Sequence, residues 1–257
     1  MDAMILAAGL GTRLGTITTD VPKALVPMGG RPLLRWVIDG LVAAGVTRIV
    51  INTHHHEGQI RSFVEDLRIP GVTFVLSPEP DGPYETGGGL IAASSLFQTK
   101  EPFLLHNADV LSTISMGVLV TQHLAAGAGG DGTLIASLAV QNRESRRALL
   151  FDETGLLGWD NRGGEGTEAA RHEVREAVGP VRRLAFTGIH VVEPRIFGLT
   201  DREGSFSIIT LYLELARAGF RIQALDVTEE EWFDVGTPER LEEARLRFSL
   251  AAGGPTP

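Results

Sequence analysis

The sequence has 257 residues, no cysteine and a formal net charge of −9 at pH 7, with 43% hydrophobic and 21% charged residues. The absence of cysteine excludes disulfides, thiol nucleophiles and thiolate metal sites, and it fits a cytoplasmic protein. The acidic balance argues against general nucleic-acid binding, and no apolar run approaches the ~20 residues of a membrane span. We expect a single domain over residues 1–250 and a disordered tail over residues 251–257.

The first predicted element is an apolar strand over residues 3–8, which breaks into the segment GLGTR at residues 9–13. Glycines directly after a strand let the backbone approach a ligand closely and direct N–H donors at it, which suits a phosphate chain. Arg13 and Lys23 add two fixed positive charges. The alternative for the glycines alone is a tight turn, and their spacing matches neither the dinucleotide fingerprint nor a Walker A loop.

Strand and helix patterns alternate along the rest of the chain. We predict strands at residues 48–53, 72–76, 103–106, 133–140, 148–151, 156–159, 184–192 and 222–227, and helices at residues 32–45, 57–67, 90–97, 116–126 and 208–218. This alternation predicts an α/β fold, a Rossmann-like three-layer sandwich with a mainly parallel mixed sheet, helices on both faces and small β-hairpin insertions over the site. Residues 161–180 show no sustained period and are predicted to be a loop over the site or poorly ordered.

Three consecutive histidines, residues 54–56, follow the second predicted strand. Consecutive residues of a strand point to alternating faces, so these side chains do not converge on one ion. We interpret them as a polar strand end near the ligand pocket, with a metal site as the alternative.

A second glycine-rich loop, SPEPDGPYETGGG, covers residues 77–89 and leads into a predicted helix. Glycines that open a helix leave the N–H groups of its first turn unshielded, so a planar base or an anionic oxygen can rest there. A flexible lid is the alternative interpretation.

Two acidic residues stand out at the ends of apolar segments. Asp109 comes just after the predicted strand at residues 103–106, where a carboxylate is well placed to hold Mg²⁺. Asp234 precedes Thr237 and Pro238, which fit a helix cap and the first position of a helix. Capping explains Thr237 and Pro238 but not Asp234.

Several of these motifs resemble those of one enzyme family. LAAGLGTRL at residues 6–14, followed by PKALVP at residues 22–27, is similar to the signature of sugar-1-phosphate nucleotidyltransferases, which join an NTP and a sugar 1-phosphate and release pyrophosphate. ETGGG at residues 85–89 resembles the loop of that family that holds the base, and WFDVGTPE at residues 232–239 resembles its late aspartate motif.

The sequence departs from the family pattern at three places. Thr16 stands where proline is usual, Ala108 stands where the Gly-Asp metal motif has glycine, and GWDN at residues 158–161 replaces the Glu-Lys-Pro motif that many relatives use for sugar contacts. We expect the first change to loosen the loop without abolishing the site.

The resemblance implies roles for individual residues. Arg13, Lys23 and Asp109 are the catalytic candidates, and Asp109 and Asp234 are the candidate ligands of Mg²⁺. The predicted nucleotide-binding residues are Leu6, Ala7, Ala8, Gly9, Gly11, Thr12, Arg13, Lys23, Thr86, Gly87, Gly88 and Asn107. The predicted sugar-binding residues are Asn161, Thr187 and Gly188. Gly188 fits a close approach of the sugar and a strand bulge equally well.

The expected activity is therefore nucleotidyl transfer with Mg²⁺ as the cofactor. UTP with N-acetylmuramate 1-phosphate is the lead pair, because the ETGGG form is similar to the uridylyltransferases of that sugar, and GTP with mannose or heptose 1-phosphate is the alternative. Small-molecule substrates are the expected partners, without nucleic acid or membrane, for a monomer or a homodimer. A nucleotide-sensing module without catalysis, a Rossmann dehydrogenase and a retaining glycosyltransferase are the rival interpretations.

Overall fold

A computed structural model describes residues 1–128, 130–163 and 168–251, with the side chains of residues 248–251 excepted. The strands are β1 (Asp2–Leu6), β2 (Pro27–Met28), β3 (Arg31–Pro32), β4 (Arg48–Thr53), β5 (Thr73–Pro78), β6 (Phe103–Asn107), β7 (Val110–Ser112), β8 (Leu134–Gln141), β9 (Arg147–Asp152), β10 (Gly155–Asn161), β11 (Ala170–Glu173), β12 (Arg182–Val192), β13 (Arg221–Asp226) and β14 (Trp232–Asp234). The α-helices are α1 (Leu33–Ala43), α2 (Glu57–Asp66), α3 (Glu85–Ala92), α4 (Met116–Gly127), α5 (Ile208–Arg217) and α6 (Pro238–Ala251). Short 3₁₀ helices cover Thr12–Thr18, Lys23–Leu25, Ser94–Leu96 and Pro194–Gly198.

Ten strands of the described chain form one mixed sheet. The strands β5, β4, β1 and β6 lie side by side and parallel, so their carboxyl ends meet at one edge. β12 runs antiparallel beside β6 and pairs along its other edge with β9 and β8. The predicted Rossmann-like α/β fold with a mainly parallel mixed sheet is confirmed. Because ligands of such sheets bind at the carboxyl ends of the strands, this edge is where a site is expected.

Alternating apolar residues of the parallel strands fill the two faces of the sheet. Met4 and Val50 pack in a buried cluster with residues of α3 and α5. Ile5 and Ile51 pack in a second cluster with residues of α1, α2 and α4 on the opposite face. Each fully buried side chain of this kind contributes roughly 1.5–3 kcal/mol relative to an exposed one. The core therefore holds the sheet between two helical layers.

A third buried cluster joins the two ends of the chain. Leu14, from the 3₁₀ segment after β1, packs with Val26, Val235 and Leu241, and each of the four is at most 1% exposed. Val235 follows β14 and Leu241 lies on α6. The cluster therefore fixes the loop that carries Arg13 against the segment that carries Asp234.

Two predicted elements differ from the structure. The third helix begins at Glu85 rather than at Leu90. The predicted loop at residues 161–180 contains β11, which pairs antiparallel with β10. All four residues of β11 are exposed, so the alternation of buried and exposed residues that reveals a strand is missing there.

Part of two predictions lies outside the described residues. Residues 164–167 of the predicted loop and residues 252–257 of the predicted tail are not described. Residue 251, the first residue of the predicted tail, is the last residue of α6. Within the described parts of the chain, no helix has the length and hydropathy needed to cross a membrane.

Two histidines are buried inside the sheet. Nδ1 of His106, on β6, lies 2.8 Å from the Asn107 carbonyl oxygen, and Nδ1 of His190, on β12, lies 2.6 Å from the Tyr212 hydroxyl. Burial lowers the pKa of His106 to about 4 and, together with the nearby His106, lowers the pKa of His190 to about 3. Both side chains are therefore neutral at pH 7.

These lowered values predict that stability falls in mild acid. Between pH 6.5 and pH 5 the unfolded chain binds protons at these histidines and the folded chain does not, so each contributes a loss of up to about 1.4 kcal/mol per pH unit. Urea denaturation should give a lower free energy of unfolding at pH 5 than at pH 7. His190→Asn, which does not titrate, should reduce this difference, whereas the exposed-residue control His55→Asn should not. An equal difference in all three proteins would contradict the assignment.

Candidate active site

A cavity of about 500 Å³ opens at the carboxyl ends of β1, β4 and β6. The predicted residues that line it are Leu6, Ala8, Gly9, Gly11, Thr12, Arg13, Lys23, Thr86, Asn107 and Asp109. Ala7 does not line the cavity, and its backbone N–H donates to Oδ1 of Asn52 at 2.7 Å. The structure thus brings both glycine-rich segments and the first acidic residue to one site.

The loop after β1 depends on glycine at residue 11. Gly11 has a φ of +67°, which disfavours other residues, and a Cβ there would lie 3.2 Å from Cβ of Lys23. Its carbonyl oxygen accepts hydrogen bonds from the Leu14 N–H and the Thr18 hydroxyl. By contrast, a Cβ on Gly9 would have no neighbour within 4 Å among the described residues. A ligand can therefore lie directly against the backbone at Gly9.

Lys23 and Asp109 form an ion pair inside this cavity. The Lys23 side chain is 12% exposed and that of Asp109 is 26% exposed, so the pair is partly shielded from water. The sheet fixes the position of Asp109, because the two residues before it are bonded to β1. Asn107 pairs with Leu6, and the Ala108 N–H donates to the Leu6 carbonyl oxygen at 3.0 Å.

The second acidic residue reaches the same region through the β7–β14 pair. Asp234 lies opposite Val110, and the Val235 N–H donates to the Asp109 carbonyl oxygen at 2.9 Å. Asp109 and Asp234 therefore belong to directly bonded segments. Asp234 does not itself line the cavity, but Gly236 does.

Gly236 is the point at which Arg13 and Asp234 approach each other. A Cβ at Gly236 would lie 2.7 Å from Oδ1 of Asp234 and 2.9 Å from Nη2 of Arg13. Arg13 is exposed and forms no ion pair among the described residues. Its guanidinium is thus available to a ligand in the cavity.

The acidic residues fit a divalent cation. Oδ2 of Asp234 accepts a hydrogen bond from Arg240, whereas Oδ1 is buried with no hydrogen-bond partner in the described chain. No group of three or more His, Cys, Asp or Glu residues that could hold a metal occurs in residues 1–128, 130–163 and 168–251. Mg²⁺ commonly takes only one or two carboxylates and completes its shell with water and substrate phosphates. Asp109 and Asp234 match that requirement.

The prediction that Gly87 and Gly88 present unshielded N–H groups to a ligand is wrong. Both N–H groups donate to the Phe206 carbonyl oxygen, at 2.9 and 3.1 Å. A Cβ at either position would collide with Phe206 or Gly204. These glycines therefore permit the close packing of residues 204–206 on α3, and only Thr86 of this predicted group lines the cavity.

Comparison with known proteins agrees with this geometry. Residues 3–154 match the MobA-like NTP transferase domain. The chain belongs to this family. An N-acetylmuramate alpha-1-phosphate uridylyltransferase of Caulobacter vibrioides is 31% identical over 251 residues, which cover 97% of each chain. A mannose-1-phosphate guanyltransferase of Saccharomyces cerevisiae is 35% identical over 241 residues, 93% of this chain and 62% of that protein.

Solved structures share the fold of this chain. A putative glucose-1-phosphate thymidylyltransferase from Bacillus anthracis superposes with a TM-score of 0.77 at 18% identity, covering 100% of this chain and 98% of that one. The family match and these relatives show that the chain is an enzyme of the sugar-1-phosphate nucleotidyltransferase class, as the sequence predicted.

The predicted sugar-binding residues of this nucleotidyltransferase do not line the cavity. Thr187 is 1% exposed, and its hydroxyl donates to the Ala139 carbonyl oxygen at 2.8 Å. Gly188 has a φ of +84° at a bulge in β12, and the Asn107 side chain occupies the space where a Cβ would be. Of its two predicted interpretations, the structure therefore shows the bulge. Asn161 ends β10, where its side-chain amide donates to the Glu168 carbonyl oxygen.

A buried polar network that the sequence analysis missed supports the nucleotidyltransferase loop. Asn52, which lines the cavity, accepts from the Ala7 N–H and donates to Glu79 Oε1 at 2.7 Å. Glu79 is 1% exposed, and its Oε2 accepts from the Tyr84 N–H at 2.7 Å. The network links the first loop to the second. Asn52 could have been found by the signal that marked Asp109, a polar residue where a buried strand of the parallel sheet ends.

Two further lining residues were also missed. Glu85 has a φ of +57°, an uncommon backbone conformation outside glycine, and its side chain is exposed at the cavity. Ser207 lines the cavity beside Thr86, whose hydroxyl oxygen accepts from the Ile208 N–H, and Ser207 itself accepts a hydrogen bond from the Ile209 N–H. Nothing in the residue pattern marks Ser207, because the packing of α3 on α5 brings it to the site.

The close approach at Gly236 gives a testable prediction. Gly236→Ala should displace Asp234 Oδ1 and Arg13 and reduce kcat about tenfold or more, since misplacement of about 1 Å is enough to cost a large factor in rate. Gly117→Ala is the matched control, because in the part of the chain that the structure describes nothing lies within 4 Å of a Cβ at Gly117. Steady-state kinetics of both variants with thermal melting would test this, and a fully active, stable Gly236→Ala enzyme would contradict it.

Proposed function

We propose that this enzyme joins UTP and N-acetylmuramate 1-phosphate to give the UDP-sugar and pyrophosphate. The observation that supports the chemistry is that Arg13, Lys23 and Asp109 line one cavity. The segment that carries Asp234 is hydrogen-bonded to Asp109 through the Val235 N–H. The substrate pair is supported by the uridylyltransferases of Caulobacter vibrioides and Neisseria meningitidis, each 31% identical over at least 95% of this chain.

The proposed reaction needs no general base. The attacking phosphate oxygen of the sugar 1-phosphate is already anionic, so the enzyme must align two anions and neutralise their charge at the α-phosphorus. Lys23 would contact phosphate near the reacting centre, and the exposed Arg13 would neutralise charge on the departing pyrophosphate. The open backbone at Gly9 would admit the triphosphate to the N–H groups of the loop.

Asp109 and Asp234 would hold Mg²⁺ in this site. When bound, the ion offsets the repulsion between the two phosphates and stabilises the charge that develops on them. The ion pair of Lys23 with Asp109 keeps the carboxylate at the cavity before substrate arrives. The buried Asp234 Oδ1 then supplies an acceptor that no protein group in the described chain uses.

We infer that the base lies against the second loop. Thr86 accepts from the Ile208 N–H and keeps its own hydroxyl proton to donate to a base carbonyl. Glu85 offers an acceptor to a base N–H from the same wall. Asn161 stays the proposed sugar contact, although it lies outside the cavity lining and its side-chain amide donates to the Glu168 carbonyl oxygen. A nucleoside triphosphate donor is consistent with the cytoplasmic location that we propose.

Guanylyl transfer to mannose 1-phosphate is the second candidate. It is favoured by the yeast mannose-1-phosphate guanyltransferase, which is more identical to this chain than the uridylyltransferases but over a smaller part of its own length. Heptose 1-phosphate is a further acceptor to test.

A substrate-matrix assay tests the proposal. Pyrophosphate release would be measured for UTP, GTP, CTP and dTTP against N-acetylmuramate, mannose, heptose and glucose 1-phosphates, with Mg²⁺ and again with chelator. We expect the highest kcat/KM for UTP with N-acetylmuramate 1-phosphate and no release with chelator. Asp109→Asn, purified in parallel, controls for contaminating enzymes. Highest activity with another pair would refute the substrate assignment. Pyrophosphate release that continues in the presence of chelator would refute the requirement for a metal ion.

A further inference from the structure

We propose that Arg240 is a positioning residue for the divalent ion, because its guanidinium fixes Asp234 with one carboxylate oxygen left free for the metal. The inference rests on the proposed function, which assigns Asp234 to the ion. Arg240 lies outside the cavity lining and outside every motif that the sequence analysis considered.

The geometry of Asp234 carries the inference. Nη1 of Arg240 donates to Oδ2 of Asp234 at 2.9 Å. Oδ1 of the same carboxylate is buried and has no hydrogen-bond partner among the described residues, although it lies close to Gly236 at the cavity wall. A buried acceptor without a partner is destabilising, so a free oxygen held in one direction indicates a ligand that is supplied later.

The position of Arg240 on its helix is not explained by helix stability. Thr237 caps α6 by accepting from the Arg240 N–H, and Pro238 is the first helical residue. Arg240 therefore lies in the first turn, where the helix dipole disfavours a positive charge. Its ion pair with Asp234 compensates for this placement and folds the end of β14 back onto the start of α6.

Asp109 is held in the same way. Lys23 pairs with Oδ2 of Asp109, as Arg240 pairs with Oδ2 of Asp234. Each acidic residue thus has a cation on one oxygen, which restrains its rotation and leaves the other oxygen for a ligand. Outer partners of this kind are typical of metal sites, where they orient the ligating carboxylates.

Arg240 has two opposing effects on a bound cation. Its charge repels the ion, but its side chain is 50% exposed, so water and salt screen that repulsion. Arg143, whose guanidinium stacks 4.0 Å from the centre of the Trp232 ring, donates to Oε1 of Gln141 at 3.2 Å instead of to Asp234. We therefore expect the orienting effect to dominate.

The test is metal binding without turnover. Mn²⁺ would be titrated into enzyme with UTP and no sugar phosphate, and free Mn²⁺ would be followed by electron paramagnetic resonance. Arg240→Gln should weaken Mn²⁺ binding about 10- to 100-fold, the range typical of lost outer partners, and Arg240→Lys should recover part of it. Melting temperatures should stay close to wild type, because an exposed ion pair contributes little stability.

Arg245→Gln is the matched control, since Arg245 lies on the same helix in an exposed pair with Glu242. It should bind Mn²⁺ like the wild type. If Asp234→Asn weakens binding and Arg240→Gln does not, the role of Arg240 is refuted and the proposed metal site stands. If Asp234→Asn binds Mn²⁺ as the wild type does, the proposed metal site itself is wrong, and the inference falls with it.

Discussion

Asp109→Asn should lose about 10³-fold in kcat, the upper end of what removing one preorganised charge-stabilising group costs. The substitution keeps the shape of the side chain and removes the charge that pairs with Lys23 and that we assign to the metal. The segment should keep its position, because it is held by backbone bonds from Ala108 to Leu6 and from Val235 to Asp109. The loss should therefore appear in kcat and in the Mg²⁺ dependence, with little change in the melting temperature.

The control for this variant is Asp39→Asn. Asp39 is an acidic residue of α1 that pairs with Arg31 and Arg35 outside the cavity. It should retain wild-type kcat. An Asp109→Asn enzyme with wild-type kcat and unchanged Mg²⁺ dependence would remove Asp109 from the catalytic site.

Arg13→Ala should lose about 10²- to 10³-fold in kcat, the range found when a donor to developing negative charge is removed. Arg13 is exposed at the cavity and forms no ion pair in the described chain, so its charge does not stabilise the fold through an ion pair. Stability should hardly change, because the backbone of the loop is fixed by Gly11 and by the buried Leu14. KM for the NTP should rise less than kcat falls, since the contact strengthens as pyrophosphate departs.

Arg61→Ala is the control for charge alone. Arg61 is an exposed arginine of α2 that pairs with Glu57 outside the cavity lining. If both variants lose the same small factor, general electrostatic attraction accounts for the effect. A loss confined to KM for the NTP would make Arg13 a binding residue only.

The sheet and the first loop could be predicted because their signals are local. The strand at residues 48–53 has the predicted bounds, since a β-branched run is bounded by polar residues on both sides. Gly11 was predicted from its place after a strand, and its positive φ explains why glycine is required at this position. Asp109 lines the cavity as the edge rule for parallel sheets predicts, whereas Lys23 was identified by its place in the PKALVP segment that resembles the family signature.

The second loop could not be predicted, because a distant contact decides its structure. Three consecutive glycines disfavour a helix, so the sequence placed the helix start after them. Packing of residues 204–206 against Gly87 and Gly88 overrides this preference and uses their N–H groups. The Asn52–Glu79 bond likewise joins the end of β4 to the residue that follows β5, and no spacing rule indicates it.

Arg240 shows the same limit at the metal site. A cation in the first turn of a helix looks like an ordinary surface residue in the sequence, and only the fold places it on Asp234. Asp234 itself was found because its segment resembles the late aspartate motif of the family, and because helix capping explained its neighbours but not Asp234.

The central claim is that Asp109 and Asp234 hold one divalent ion together. A crystal structure with Mn²⁺ and a non-hydrolysable UTP analogue, with the metal located by anomalous scattering, tests it directly. We predict one ion with oxygen atoms of both carboxylates at about 2.0–2.2 Å and phosphate oxygens completing its shell. An ion bound to the phosphates with neither carboxylate, or with Asp234 still bonded only to Arg240, would contradict the claim.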